Sequence, residues 1–320
     1  MNSIASALAP VVLLILVGFM AGRRRWVDPQ GSAQISRLCF SMLSPALLFR
    51  TMSNIQVQAS DLLPVVAYFI AVLALFAGTA LALGRDTRSI VMALSATYGN
   101  LVMIGIPLIT LAFGQEGLVY LFALLSVHSM ILLTLGTITL EWARAREHRT
   151  QSPGERAPAR TPVIRRALRN ALINPVVLPI ACGLIWSQTG WTIPLLIDRP
   201  LQWMGQAFSP LALLLVGISL AQLQGGPSAQ APRRLTIAIT GAKNLLQPIL
   251  VGGVCALMGI HGMAALVIVV AAALPTGATV FMFAQRYGVA RDQVANTVAL
   301  STLIALVGLP LAMYSASRLL

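Results

Sequence analysis

The sequence predicts an all-α polytopic membrane protein with ten transmembrane helices. They are arranged as a five-plus-five inverted repeat in which helices 4 and 9 are broken and crossed. Three observations carry that expectation. Hydrophobic residues make up 57% of the 320 positions and charged residues only 10%, the balance of an integral membrane protein. Ten apolar runs are long enough to cross a bilayer, which takes about 20 residues per helix. The fourth and ninth runs carry helix breakers at their centres, where hydrocarbon tolerates freed backbone groups least.

The ten runs are 5–22, 33–52, 62–84, 88–113, 118–140, 168–188, 202–222, 235–259, 263–285 and 292–316. The first lacks a basic leader and reads as a span, not a cleaved signal. Between the fifth and sixth lies the longest hydrophilic link, 141–167, rich in Arg, Glu and Pro. It divides the chain into a first five-helix repeat at 1–140, a cytoplasmic linker at 141–167 and a second repeat at 168–320. The net charge of +13 does not call for a nucleic-acid partner, because the cations sit in short loops between apolar runs and not on one soluble face. Nineteen of the 22 Lys and Arg residues, from Arg23 to Arg291, flank the loops after runs 1, 3, 5, 7 and 9. Those loops are therefore expected in the cytoplasm, with both termini extracytoplasmic, in a multi-pass protein of the plasma (inner) membrane. Cys39, Cys182 and Cys255 fall inside apolar runs at no metal-ligand spacing, so no metal or cofactor is expected.

The halves repeat one another. Pro10-Val11-Val12-Leu13 with Gly18 recurs as Pro175-Val176-Val177-Leu178 with Gly183, and Ser44-Pro45 recurs as Ser209-Pro210, both at an offset of 165 residues. A unit with an odd number of spans must enter the membrane from opposite sides in its two copies, which makes the repeat inverted. Runs 4 and 9 are then equivalent. The first carries Asn100, Gly105 and Pro107, the second Pro275, Thr276 and Gly277. Paired broken helices are the sequence pointer to a transporter's binding site. Each break leaves amide donors and partial positive charge at a half-helix N-terminus, suited to a carboxylate. A purely structural kink is the other reading of each proline.

At these residues the chain resembles the auxin efflux carrier family, which includes bacterial malonate and malate permeases. The matching pieces are Asn100-Leu101-Val102-Met103 leading to Gly105-Ile106-Pro107-Leu108, and Ala273-Leu274-Pro275 with Gly277, Phe283-Ala284 and Tyr287. Arg169-Asn170 with Asn174-Pro175, Gly183-Leu184-Ile185-Trp186 and Pro45-Ala46-Leu47-Leu48-Phe49-Arg50 are similar too. The resemblance implies spans 1, 2, 6 and 7 as a scaffold and spans 3–5 and 8–10 as a transport unit that moves like an elevator. It implies substrate bound beside the crossed helices, with Asn100 at the family's crossover asparagine. Gly99 and Thr276 depart from the plant carriers, which have proline and glutamine there. That departure and the short chain point away from auxin, toward a small dicarboxylate such as malonate or malate.

Other polar residues within the runs each have two readings. His128 lies mid-run between Ser126 and Ser129, as a substrate or proton group or as a neutral imidazole bonded to a neighbouring helix. Lys243 lies within run 8, where it either holds charge beside the crossover or snorkels to the surface. Asn100 either donates to substrate or bridges the broken backbone, and Thr276 offers its hydroxyl or its amide. Gly105, Pro107, Pro275 and Gly277 are expected to shape the substrate site through backbone. All nine carboxylates fall in loops or at span ends. A coupling proton or sodium ion would then depend on His128, on carbonyls, or on Asn244, Asn296, Thr297 and Ser301, and uniport stays open, as does a homodimer. The expected function is a secondary transporter (permease) of a small organic anion, with an anion channel or uniporter at the same site as the alternative. An enzyme is not expected, since His128 has no acidic partner at its depth, and no phosphate-binding loop suggests a nucleotide-driven pump.

Overall fold

The computed structural model describes residues 2–54, 62–151, 177–223 and 233–319. Among them the fold is helical, and backbone pairing of the β type is confined to one isolated bridge, Gly99 with Thr276. In chain order the helices are α1 (Asn2–Arg23), α2 (Pro29–Leu38), α3 (Ser44–Ser53), α4 (Leu63–Leu83), α5 (Thr87–Thr97) and α6 (Ile106–Gln151). They continue with α7 (Val177–Gln188), α8 (Leu195–Leu223), α9 (Arg233–Gly241), α10 (Gln247–Leu257), α11 (Gly262–Ala273), α12 (Ala278–Tyr287) and α13 (Arg291–Leu319). Widened π turns at Cys39–Leu43, Leu101–Gly105 and Ala242–Leu246 join α2 to α3, lead into α6 and join α9 to α10. Most of the expected linker and the start of the sixth run, with Arg169, Asn170, Asn174 and Pro175, lie outside the described residues. Of the first repeat match, Pro175 and Val176 lie among those undescribed residues, while Val177, Leu178 and Gly183 fall in α7.

Among the described residues, five helices are long and apolar enough to cross a membrane: Leu63–Leu83, Leu101–Glu147, Leu195–Gln222, Arg233–Leu257 and Arg291–Ala316. Shorter apolar helices cover Ala9–Arg23, Leu178–Gln188 and Gly262–Ala273. The second of the five, at 47 residues, is not one rod. Gly114 has φ 62° and ψ −150°, and Ile109 lies against Gly117, eight positions along, a contact that a continuous helix rising 1.5 Å per residue does not allow. The chain turns back at Gly114.

Local chemistry sets the ends. Asp28 and Asp86 accept from the amides of Gly31 and Ser89 at 2.6 and 2.7 Å, each satisfying an orphan donor at a helix start. Gly84, at φ 111°, closes α4, in a region where a Cβ would clash. Helices α1 and α8 touch backbone to backbone, since a Cβ on Gly217 would fall 2.0 Å from the carbonyl oxygen of Ile15. Small residues permit such approach where no hydrophobic force drives helices together. Arg50 of α3 and Asp198 near the start of α8 form a bidentate pair at 2.7 and 3.0 Å.

Candidate functional site

The two interrupted stretches meet at their breaks. Helix α5 ends at Thr97, and Tyr98 turns extended, with φ −82° and ψ 108°. Helix α11 ends at Ala273, and Leu274 turns extended, with φ −59° and ψ 147°, as the residue before a proline tends to. The amide of Asn100 donates to the carbonyl of Pro275 at 2.9 Å, and that of Gly277 to the carbonyl of Tyr98 at 3.0 Å. Backbone groups freed by each break are thus partly satisfied by the other break, as a buried non-helical segment requires.

The prolines play unequal parts. Pro275 sits in its break. Pro107 does not: the interruption lies at Tyr98–Asn100, and Pro107 is the second residue of α6, just after the π turn Leu101–Gly105. A widened turn makes room for the ring and for its missing amide, so Pro107 follows the break without causing it. Close approach explains both glycines. A Cβ on Gly277 would lie 2.9 Å from the Tyr98 ring, and one on Gly105 would lie 2.8 Å from Leu274.

The carbonyl ends of α5 and α11 are covered from the α9–α10 segment. The Lys243 ammonium donates to the carbonyl of Ala272 at 2.7 Å, and the Gln247 amide donates to Thr97 O and to the Tyr68 hydroxyl, each at 3.2 Å. Lys243 is 0% exposed, so of its two expected placements the structure has the one beside the breaks. A cation there complements the negative end of a helix dipole. Thr276 is tied down too: its hydroxyl donates to Ser95 O at 2.8 Å and its amide to Ser301 Oγ at 3.1 Å.

The amino ends open on a cavity of about 500 Å³, within the range of roughly 300–1,000 Å³ for small-molecule sites. The first residues of both half-helices line it, Leu101–Met103 on one side and Gly277–Thr279 on the other. Asn100 Oδ1 accepts from the Met103 amide at 3.3 Å, and the amides of Ile104 and Gly105 go to Asn100 O. The amides of Leu101, Val102, Ala278 and Thr279 have no acceptor among the described residues. Four donors at two helix amino ends face one space, where they favour negative charge.

His128 completes the wall. It is 1% exposed, its ring stacks within 4.8 Å of Tyr98 and 5.8 Å of Tyr68, and neither ring nitrogen has a partner among the described residues. The alternative of an imidazole bonded to a neighbouring helix therefore does not hold among them. The opposite wall comes from α2 with its π turn and from α8, including Ser36, Phe40, Val216 and Ser219.

Of the eight residues singled out by sequence, Asn100, His128 and Gly277 line this cavity, while Gly105, Pro107, Lys243, Pro275 and Thr276 do not. Sequence reasoning passed over Gln247, whose only signal was its place one turn after Lys243. It also passed over Tyr98, whose hydroxyl meets Ser129 at 2.8 Å. Among the described residues no cluster of three His, Cys, Asp or Glu gathers to hold a metal ion.

A helical membrane protein with a hollow at paired helix breaks has the make-up of a membrane transport protein, and comparison with known sequences agrees. The membrane transport protein family matches residues 3–313, and the chain belongs to that family, the one that its resemblance to the auxin efflux carriers indicated. It is also similar to a protein of Rhizobium meliloti (strain 1021) named "Putative malonate transporter". The two are 26% identical over 313 residues, covering 95% of this chain and 93% of the relative.

Proposed function

We propose that the protein is a secondary transporter of a small organic anion, and that a dicarboxylate of the malonate type binds in the cavity at the paired breaks. The carrying observation is the convergence of the unpaired amides of Leu101, Val102, Ala278 and Thr279 with the unpartnered ring of His128. Two amino ends held side by side suit two carboxylates on one short carbon chain, one to each end. The Asn100 side-chain amide and the Ser129 hydroxyl add neutral donors. Lys243, behind the breaks, supplies positive charge to the assembly without touching the anion. The name of the Rhizobium relative favours malonate within this class.

In this reading the chain crosses the membrane ten times as an inverted repeat, with odd-numbered loops cytoplasmic and both termini outside. The break at Gly114 supports it by dividing the longest helix into two passes. The cavity also supports a division into units, because α2 and α8 form one wall and the broken helices with His128 form the other. Spans 1, 2, 6 and 7 then stay fixed while spans 3–5 and 8–10 carry the anion past them. Counterflow in proteoliposomes tests this. Unlabelled malonate inside should drive uptake of labelled malonate above its equilibrium level, whereas a pore would give no overshoot, and inert vesicles would remove malonate as the substrate.

A further inference from the structure

The last turns of α6 hold two other helices at once. The Arg144 guanidinium donates to the carbonyl of Tyr287 at 2.6 Å and lies over the Tyr287 ring, 4.9 Å from its centre. Tyr287 is the last residue of α12, and the chain leaves it through Gly288 at φ 70°. One turn after Arg144, on the same face of α6, a Glu147 carboxylate oxygen accepts from the amide of Thr87 at 2.8 Å. Thr87 is the first residue of α5. A cation thus meets the negative end of one helix and an anion the positive end of another, each at the pole that favours its charge.

These are the helices whose opposite ends make the breaks. Helix α5 has 11 residues and α12 has 10, against the about 20 that cross a bilayer, so each depends on its neighbours for its place. At their inner ends the amides of Asn100 and Gly277 bond to Pro275 O and Tyr98 O, a pairing that requires the two helices to keep register. The helix that grips the outer ends also carries His128 and Ser129 into the cavity wall, roughly four turns back along its axis. We propose that Arg144 and Glu147 are positioning residues. From one turn of α6 they hold the outer ends of α12 and α5, and so keep the inner ends of both paired at the breaks and set against His128. That this clamp governs malonate affinity rests on the anion reading above, whereas its hold on the breaks does not.

The test is amide hydrogen exchange of the whole protein in detergent, first without malonate. Arg144→Gln and Glu147→Gln each remove one charge-assisted bond and should speed exchange about tenfold or more at the amides of Asn100 and Gly277. A merely local cap would speed it only where it sits, at 285–289 or 87–90. Arg144→Lys keeps a cation able to reach the same carbonyl and should restore most of the protection. Arg144→Glu combined with Glu147→Arg preserves net charge and any pairing between the two side chains, but sets each charge at the wrong pole, and should be at least as loose as either single variant. Calorimetric titration of the two single Gln variants should then show malonate bound about tenfold more weakly, because the anion must restore the register itself. Unchanged exchange at Asn100 and Gly277 in both single variants would overturn the proposal, as would full protection in the exchanged pair. Looser breaks with malonate affinity unaltered would overturn the positioning of the anion site. Failure of the unaltered protein to bind malonate would instead remove the anion reading, with the exchange pattern still deciding the clamp.

Discussion

Asn100 does two separable things, and a pair of substitutions divides them. Its Oδ1 caps the start of the half-helix by accepting from the Met103 amide, at a long 3.3 Å, while its Nδ2 has no partner among the described residues and is free to donate into the cavity. Asn100→Ala removes both. Loss of an N-cap costs about 0.5–2 kcal/mol, and the long bond puts this one at the low end, about 0.5–1 kcal/mol. Loss of a donor to a charged ligand costs about 1.5–3 kcal/mol, which weakens malonate binding by about 10- to 150-fold. Asn100→Asp keeps the cap, because a carboxylate oxygen still accepts from Met103, but sets a negative charge beside the bound anion. At about 4 Å and an effective dielectric of about 20, that repulsion is about 4 kcal/mol, close to a thousandfold. The assay is calorimetric titration of malonate beside the melting temperature of the empty protein. The expected pattern is a small loss of stability with Ala, none with Asp, and binding weakened in the order Asp more than Ala. Malonate binding by Asn100→Asp at unaltered affinity would refute the reasoning, because an ionised carboxylate at that position would repel an anion bound beside it.

Other expectations follow from the same geometry. Thr276→Val keeps the shape but strands the carbonyl of Ser95, and should lower unfolding stability by about 1–3 kcal/mol in a denaturant titration with malonate absent; an unchanged midpoint would mean that the hydroxyl contributes nothing. Both ring nitrogens of His128 lack a partner among the described residues, so a ring N–H is available to an anion in the cavity. His128→Phe should weaken malonate binding by about 10-fold or more; unchanged affinity in that variant would dismiss the histidine. Lys243 Nζ already donates to the carbonyl end of α11, so uptake in choline should match uptake in sodium. A tenfold drop in choline would show that sodium is coupled at another place.

The legible part of this fold was its large-scale pattern of hydrophobicity. Apolar runs with polar punctuation announced the helices, and breakers inside two runs announced where they would be interrupted. The finer placement depended on contacts between distant segments. Pro107 looked like the cause of a break that in fact lies at Tyr98–Asn100, because the hydrogen bonds that stabilise extended backbone there come from Pro275 and Gly277, about 175 positions away. Lys243 was ambiguous because its stem is long enough to reach a surface, and only the carbonyl of Ala272 decides that it stays inside. Gln247 carried no mark of its own, since one glutamine in an apolar helix reads the same whether it caps a helix or faces a gap. Pro275 was legible, because a proline biases its own predecessor toward extended backbone whatever the surroundings. The serines of the far wall, Ser36 and Ser219, look in sequence like ordinary small residues at helix contacts.

Amide hydrogen exchange with and without malonate tests the central idea most directly, since the proposed ligands are backbone N–H groups that no side-chain substitution can delete. If two half-helix amino ends hold the anion, malonate should slow exchange in peptides covering 100–104 and 277–280 together, and succinate should do so less. Protection confined to other segments, with both of these unchanged while malonate is demonstrably bound, would place the anion elsewhere and contradict the account.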